Sequence, residues 1–163
     1  GVLIIHADGN DGYDIDKVKQ YPTPNINDNF RIDNYVSVGA SAKDYNLKFA
    51  ANFSNYGDEL VDIFAPGVRI TSLAPENKYE TADGTSFSSP VVSGVAALVL
   101  SYYPDLTYQE LRDIILKSAL VYPDHKVIKP GTKKRKTKFS KLSKTGGIVS
   151  AYEALKLAEE KSK

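Results

Sequence analysis

The chain contains no cysteine. Disulfides, thiolate nucleophiles and cysteine metal sites are therefore excluded, while the redox compartment stays open, since secreted bacterial proteins also do without cysteine. Methionine is absent too, so Gly1 is not a translation start. No run reaches the ~18 consecutive apolar residues of a membrane-spanning helix. No basic segment followed by an apolar one opens the chain in the manner of a signal peptide. The only histidines, His6 and His125, are far apart and lack metal-ligand spacing. Neither a phosphate loop ending in Gly-Lys-Ser/Thr nor a Gly-x-Gly-x-x-Gly occurs. What remains is 163 residues, 42% hydrophobic and 25% charged, the composition of a folded domain with a real core.

The charge is unevenly spread. The net value is +1, yet residues 126–144 carry nine Lys or Arg and no acid, while the rest carries 12 basic and 20 acidic residues, a charge of −8. Such a tract can touch a polyanion. Without an aromatic platform beyond Phe139 it reads better as a solvated loop or inserted hairpin, with Lys133–Lys136 at its tip, and no nucleic-acid partner is expected.

Gly1–Ala7 is an unbroken apolar run apart from its histidine, the pattern of a strand buried on both faces of a parallel sheet. A domain rarely opens in its own core, so the chain is expected to be the C-terminal portion of something longer. His6 is expected to be a hydrogen-bonded core residue and His125 a surface one. A polar loop follows over Asp8–Asn29, with a helical turn near Asp14–Gln20. Strands are predicted at Ile32–Ala40, Val61–Ala65 and Val68–Leu73, the last opening a hairpin after Pro66-Gly67. Residues 85–102 are apolar nearly all round, which predicts a buried helix. Thr107 and Glu110 form a capping box for the next helix. A last helix is expected over Ile148–Glu160, with Ile148, Tyr152, Leu155 and Ala158 on its inner face. Strands followed by helices imply an α/β layered domain.

The chemically informative stretch is Gly84-Thr85-Ser86-Phe87-Ser88-Ser89-Pro90-Val91-Val92-Ser93-Gly94. It puts a serine in the first turn of a helix, where unpaired N–H groups and a partial positive charge stabilise a nearby anion. The plainer reading is that Thr85 or Ser86 is only an N-cap. The α/β-hydrolase elbow does not fit, because Ser88 stands where Gly-x-Ser-x-Gly needs glycine.

The whole segment resembles the active-serine motif of the subtilisin-like serine proteases, the subtilases. Ala7-Asp8-Gly9-Asn10 resembles the strand end that carries their oxyanion asparagine, and Tyr21-Pro22 their tyrosine-proline turn. Val36–Ala40, Phe53–Gly57, Val61–Gly67 and Gly146–Leu155 resemble further motifs in the right order. The resemblance spans about residues 1–125 and 145–158. It implies a three-layer α/β fold with a parallel sheet of seven strands, of which this is the C-terminal half. It also implies a serine endopeptidase, secreted or of the cell envelope, with peptide or protein substrates. Ser86 would be the nucleophile, and Asn10 would hydrogen-bond the oxyanion. Ala7, Gly9, Tyr21 and Thr85 would line the substrate site. No cofactor or site metal is implied, and a structural calcium ion, compatible with the family, is not legible in these residues.

The departures from the family pattern matter as much. The Asp-Thr/Ser-Gly and His-Gly-Thr-His motifs of the family do not occur here, nor does the strand that pairs with substrate. The catalytic aspartate and histidine are expected upstream, making the missing half a partner and this chain inactive and prone to self-association by itself. Asp8 and Asp83 are unusual: a carboxylate at either position could oppose a developing oxyanion or favour basic substrate side chains. The rival reading is a non-catalytic subtilase-like module that binds or autoinhibits.

Overall fold

The computed structural model describes residues 1–27 and 30–162. The last two residues of the predicted Asp8–Asn29 loop therefore lie outside the described residues. In chain order the strands are β1 Ile4–Ala7, β2 Asn25–Asn27, β3 Phe30–Arg31, β4 Tyr35–Ser41, β5 Ile63–Pro66, β6 Ile70–Ala74, β7 Lys78–Ala82, β8 Leu120–Val121, β9 Lys126–Ile128, β10 Lys136–Lys138 and β11 Gly147–Ile148. The helices are α1 Thr85–Tyr102, α2 Tyr108–Lys117 and α3 Ala151–Lys161.

The central sheet runs β1-β4-β5-β11-β8. Its first four strands are parallel, and β8 joins antiparallel. Among the described residues it has five strands, against the seven the resemblance implied. The fully buried run Tyr35–Ser41 lies beside β5, with Val38 opposite Ile63 and Ala40 opposite Ala65. Alternation along these strands makes two cores. Val36, Val38, Ile63 and Ala65 pack with the three helices. Phe64 faces the other way into a core of Ile15, Phe49, Tyr56, Val61, Val127, Phe139 and Leu142. Helices, sheet, and a layer of loops and hairpin form the three-layer α/β arrangement.

Three expectations need correction. β1 is not buried on both faces: it starts at Ile4, among the described residues pairs only with β4, and leaves Val2 and Ile4 exposed at the sheet edge. Similarly, α1 is buried on one face alone. Val92, Val95, Ala96 and Val99 pack on the sheet, while Ser93, Gly94, Ala97 and Leu98 are exposed, since no described element covers them. Its length and mean hydropathy of 1.3 would suffice for a membrane span, but its inner face sits in the core. Finally, Ile148 belongs to β11 and not to the last helix. Ser150 caps α3 by accepting from Glu153 N–H, and Ala154 and Ala158 are its buried residues, with Tyr152 exposed. The capping box of α2 forms as the sequence indicates, and β6 and β7 make the hairpin after Pro66-Gly67.

The basic tract is a hairpin, β9 against β10, but it is not merely solvated. Val127 and Phe139 are fully buried and Leu142 nearly so. The Phe139 ring lies 5.1 Å from that of Phe64 and 5.0 Å from that of Phe49. The Lys and Arg residues hide these apolar positions from a composition-based reading.

The two parts of the hairpin should therefore respond differently. Phe139→Ala should cost about 3–5 kcal/mol in urea unfolding, the usual loss for emptying a buried phenylalanine site. Shortening the tip between Gly131 and Arg135 should cost little, because Lys133 and Lys134 are exposed. Equal losses from the two changes would contradict this division.

Candidate functional site

Ser86 is the second residue of α1 and is exposed at its N-terminal end. Neither Thr85 nor Ser86 is the N-cap: Gly84 holds that position, with no side-chain cap bond. The serine hydroxyl is thus not occupied in capping the helix. The N–H of Ser86 lies in the first turn, where the helix itself supplies no acceptor.

The loop after β1 meets this helix end. Asn10 Oδ1 accepts two hydrogen bonds from Thr85, from its N–H at 2.9 Å and its hydroxyl at 3.0 Å. Thr85 Oγ1 accepts in turn from Gly9 N–H at 3.2 Å. With its oxygen engaged, Asn10 directs Nδ2 away from Thr85. The position a Cβ would take on Gly84 lies 2.9 Å from Ser86 Oγ and 3.6 Å from Asn10 Nδ2, so both groups border one small space. Glycine at 84 keeps that space open.

A fully buried residue that the sequence reading left without a role, Asn55, holds the same loop from behind. Its Nδ2 donates to Asp8 O at 2.7 Å, and its Oδ1 accepts from the N–H groups of Asp11 and Tyr13 at 3.1 and 2.9 Å. Its own N–H donates to Gly9 O at 3.0 Å. Gly9 has φ 100°, and a Cβ there would stand 2.6 Å from Asn55 Nδ2. The signal was an asparagine inside a motif taken only as a family marker.

Ser86, Asn10, Thr85 and Gly9 are therefore brought together. Ala7 ends β1 just before them, opposite Val38. Tyr21 is not joined to them by any contact among the described residues: it is 75% exposed, and its ring has Lys19 Nζ at 6.0 Å. The histidines also lie elsewhere. Ile5 faces the helices, its carbonyl accepting from Ser89 Oγ, whereas His6 tilts against Tyr35 and borders a cavity of about 300 Å³ with Asp8 and Ser37. Its ring is half-buried without a hydrogen bond among the described residues, not a bonded core histidine, and burial holds its pKa below the usual value. His125 is not simply on the surface: it stacks 3.7 Å from Tyr45 and contacts Asn46 O at 3.0 Å. Neither histidine adjoins Ser86.

Both unusual carboxylates are engaged locally. Asp83 Oδ1 accepts from Arg69 N–H at 2.6 Å. Asp8 is 4% exposed and points to the sheet face opposite α1, where Oδ1 accepts from Ser37 Oγ and Oδ2 has no partner among the described residues. Burial pushes its carboxyl well above the ordinary range, and the Ser37 bond offsets this only in part. Among the described residues, no three His, Cys, Asp or Glu side chains converge to hold a metal ion.

The family model described as "Subtilase family" matches residues 1–148. Subtilisin DY of Bacillus licheniformis is 36% identical over 120 residues, covering 73% of this chain and 40% of that protein. Subtilisin-like protease 2 of Plasmodium falciparum is 32% identical over 153 residues, which is 91% of this chain and 10% of that one. The solved A-subunit of the AB5 toxin from E. coli matches with a TM-score of 0.73 at 28% identity, over 96% of this chain and 50% of the other. A structure of subtilase cytotoxin assembly gives the same score and identity over 98% and 49%. The chain thus spans half or less of each of these relatives.

The buried Asp8 carboxyl has a pH signature. Its folded pKa lies above the ordinary 3.8, so between the two values the native state keeps a proton that the unfolded chain releases. Its contribution to stability is fully present below about pH 4 and falls as pH rises toward the folded pKa. Asp8→Asn keeps the Ser37 contact without ionising. The variant should gain stability relative to the parent chain as pH rises above about 4 in urea unfolding, and a pH-independent difference would contradict the burial argument.

Proposed function

The chain belongs to the subtilase family, and from that premise we propose that it is the C-terminal half of a serine endopeptidase catalytic domain. The observation that carries this reading is the pairing of Ser86 Oγ with Asn10 Nδ2 around the open space at Gly84.

In the proposed reaction Ser86 Oγ attacks the carbonyl carbon of the scissile peptide bond. Its proton passes to a histidine imidazole outside these residues, oriented by an aspartate that is also outside them. The carbonyl oxygen becomes an oxyanion and accepts from Asn10 Nδ2 and Ser86 N–H, donors fixed before the charge develops. Collapse expels the amine, which takes the proton from the histidine, and water then hydrolyses the acyl-enzyme on Ser86. Ala7, Gly9 and the Tyr21-Pro22 turn would wall the pocket for the residue before the cleaved bond, and Thr85 would position Asn10. Secretion or attachment to the cell envelope follows from the family alone.

Among the described residues both histidines are held away from Ser86, and a serine hydroxyl is a poor nucleophile at neutral pH without a base. The open edge of β1 and the uncovered face of α1 support a missing half as the partner that completes the site. The joint presence of Ser86 and Asn10 favours an enzyme over a binding module, which would need neither.

The 163-residue chain should react slowly or not at all with a fluorophosphonate probe, and adding an upstream fragment bearing the Asp and His motifs should restore labelling of Ser86. In that complete enzyme Asn10→Ala should lower kcat by about 10²–10³ with little change in KM, a magnitude taken from subtilisin and not from this site. An unchanged kcat would remove Asn10 from the oxyanion site. Rapid labelling of the chain alone, lost on His6→Ala or His125→Ala, would replace the reading with one that uses an internal base.

A further inference from the structure

A cleft of about 700 Å³ is bordered by residues from the 42–53 segment, the Val68-Arg69 pair, Asp83, which precedes Ser86 by three positions, and the β9–β10 hairpin at Ile128, Thr132 and Lys133. Backbone contacts tie its walls to the site already described. Gly84 N–H donates to Gly67 O at 2.8 Å, which sets Val68 and Arg69 alongside the start of α1. Phe53 O accepts from Gly12 N–H at 2.8 Å, and Asn52 O from Gly131 N–H at 2.8 Å. The cleft is therefore lined by the turn just before Ser86 and by the basic hairpin, and its Phe53 wall is hydrogen-bonded to the loop carrying Asn10.

Its charge is net positive, four cations against two acids. Lys43, Lys48, Arg69 and Lys133 line it, and among the described residues none has an ion-pair partner. By contrast, Lys17, Lys129 and Lys138 elsewhere each pair with an aspartate. Asp44 and Asp83 are the acids in the cleft, and Asp83 is turned to Arg69 N–H. Four unpaired cations converging on one concave surface raise the local potential toward anions.

Resting on the subtilase reading, we propose that this cleft binds a carboxylate-bearing segment of the polypeptide substrate, so that the enzyme favours chains acidic near the cleaved bond. The basic hairpin, which no step of peptide hydrolysis requires, thereby acts as a specificity element supplying Lys133. The carboxylate has two sources, an acidic side chain or the terminal carboxylate of the peptide.

The test is peptide binding to the 163-residue chain, followed by NMR at low salt. Three peptides of one length are compared: one with internal Asp and Glu and an amidated end, one neutral with a free carboxylate, and one neutral and amidated. At least one of the first two should bind about tenfold more tightly than the third, the stronger identifying the source, with the gain lost in 0.5 M salt. Lys43→Gln/Lys48→Gln/Lys133→Gln should remove the gain without changing the thermal midpoint, because all three side chains are exposed. Lys133→Glu, which leaves three cations against three acids, should abolish the acidic preference by itself. Equal binding of all three peptides overturns the proposal, as does a single-stranded oligonucleotide that outcompetes the acidic peptide through the same lysines. Ser86 labelling in the completed enzyme is read separately. Retained labelling with no acidic preference sinks the cleft alone, while acidic binding without labelling sinks the peptidase reading.

Discussion

Asn10 Oδ1 accepts both donors of one residue, Thr85, and the geometry of the site depends on that pair of hydrogen bonds. An amide side chain offers an acceptor and a donor end of nearly the same shape. Two donors on the oxygen leave only one orientation in which the amide is satisfied, with Nδ2 turned to the space at Ser86. Thr85 N–H would otherwise be an orphan donor of the first helical turn. A single contact thus closes the helix end and aims the proposed oxyanion donor. The Ser86 hydroxyl is left out of these bonds because its neighbour, not Ser86 itself, satisfies the loop.

Much of this was legible beforehand. The segment around Ser86 and the tetrapeptide ending in Asn10 are local patterns, and the helix and strand they occupy fall where apolar periodicity puts them. Asn55 was not legible as a structural clamp, because its four bonds reach residues more than 40 positions away and nothing in its own neighbourhood signals burial. Burial itself was overestimated for β1 and α1 for one reason. An apolar pattern reports what a segment is suited to contact, and in this chain one side of each has no described neighbour. The hairpin erred in the other direction, because nine cations in 19 residues masked Val127, Phe139 and Leu142.

Strand alternation explains why two kinds of chemistry coexist in β1 and its extension. Ile5 faces α1, so the chain leaves the strand on the side where Thr85 can reach Gly9 and Asn10. His6 and Asp8 face the opposite side, against Tyr35 and Ser37. The unusual aspartate next to the Asn10 loop is thereby separated from the proposed oxyanion position by the backbone of its own segment. Its cost is borne by folding through a buried, partly unsatisfied carboxyl, and the space at Ser86 and Asn10 is spared a facing anion.

The hairpin is tied into the same construction and is no mere appendage. Lys129 Nζ sits 4.5 Å from the Tyr56 ring centre and 3.7 Å from Asp14, and Gly131 donates to Asn52 O. Tyr56 N–H in turn donates to Tyr13 O, and Ile15 N–H to Tyr56 O. The hairpin thus presses on the segment from Asp11 to Asp16, whose first residues Asn55 holds in place. Close approach makes this possible: a Cβ on Gly12 would lie 2.6 Å from Gly131 Cα. Phe139, buried under the sheet, fixes the base of the hairpin, and Gly131 fixes its outer part against the loop. The exposed cations at the tip, Lys133 and Lys134 among them, are then left to face the cleft and solvent. A segment that contributes no reacting atom can in this way support the Asn10 loop and set the charge of the neighbouring surface, because its apolar and charged residues act on different sides.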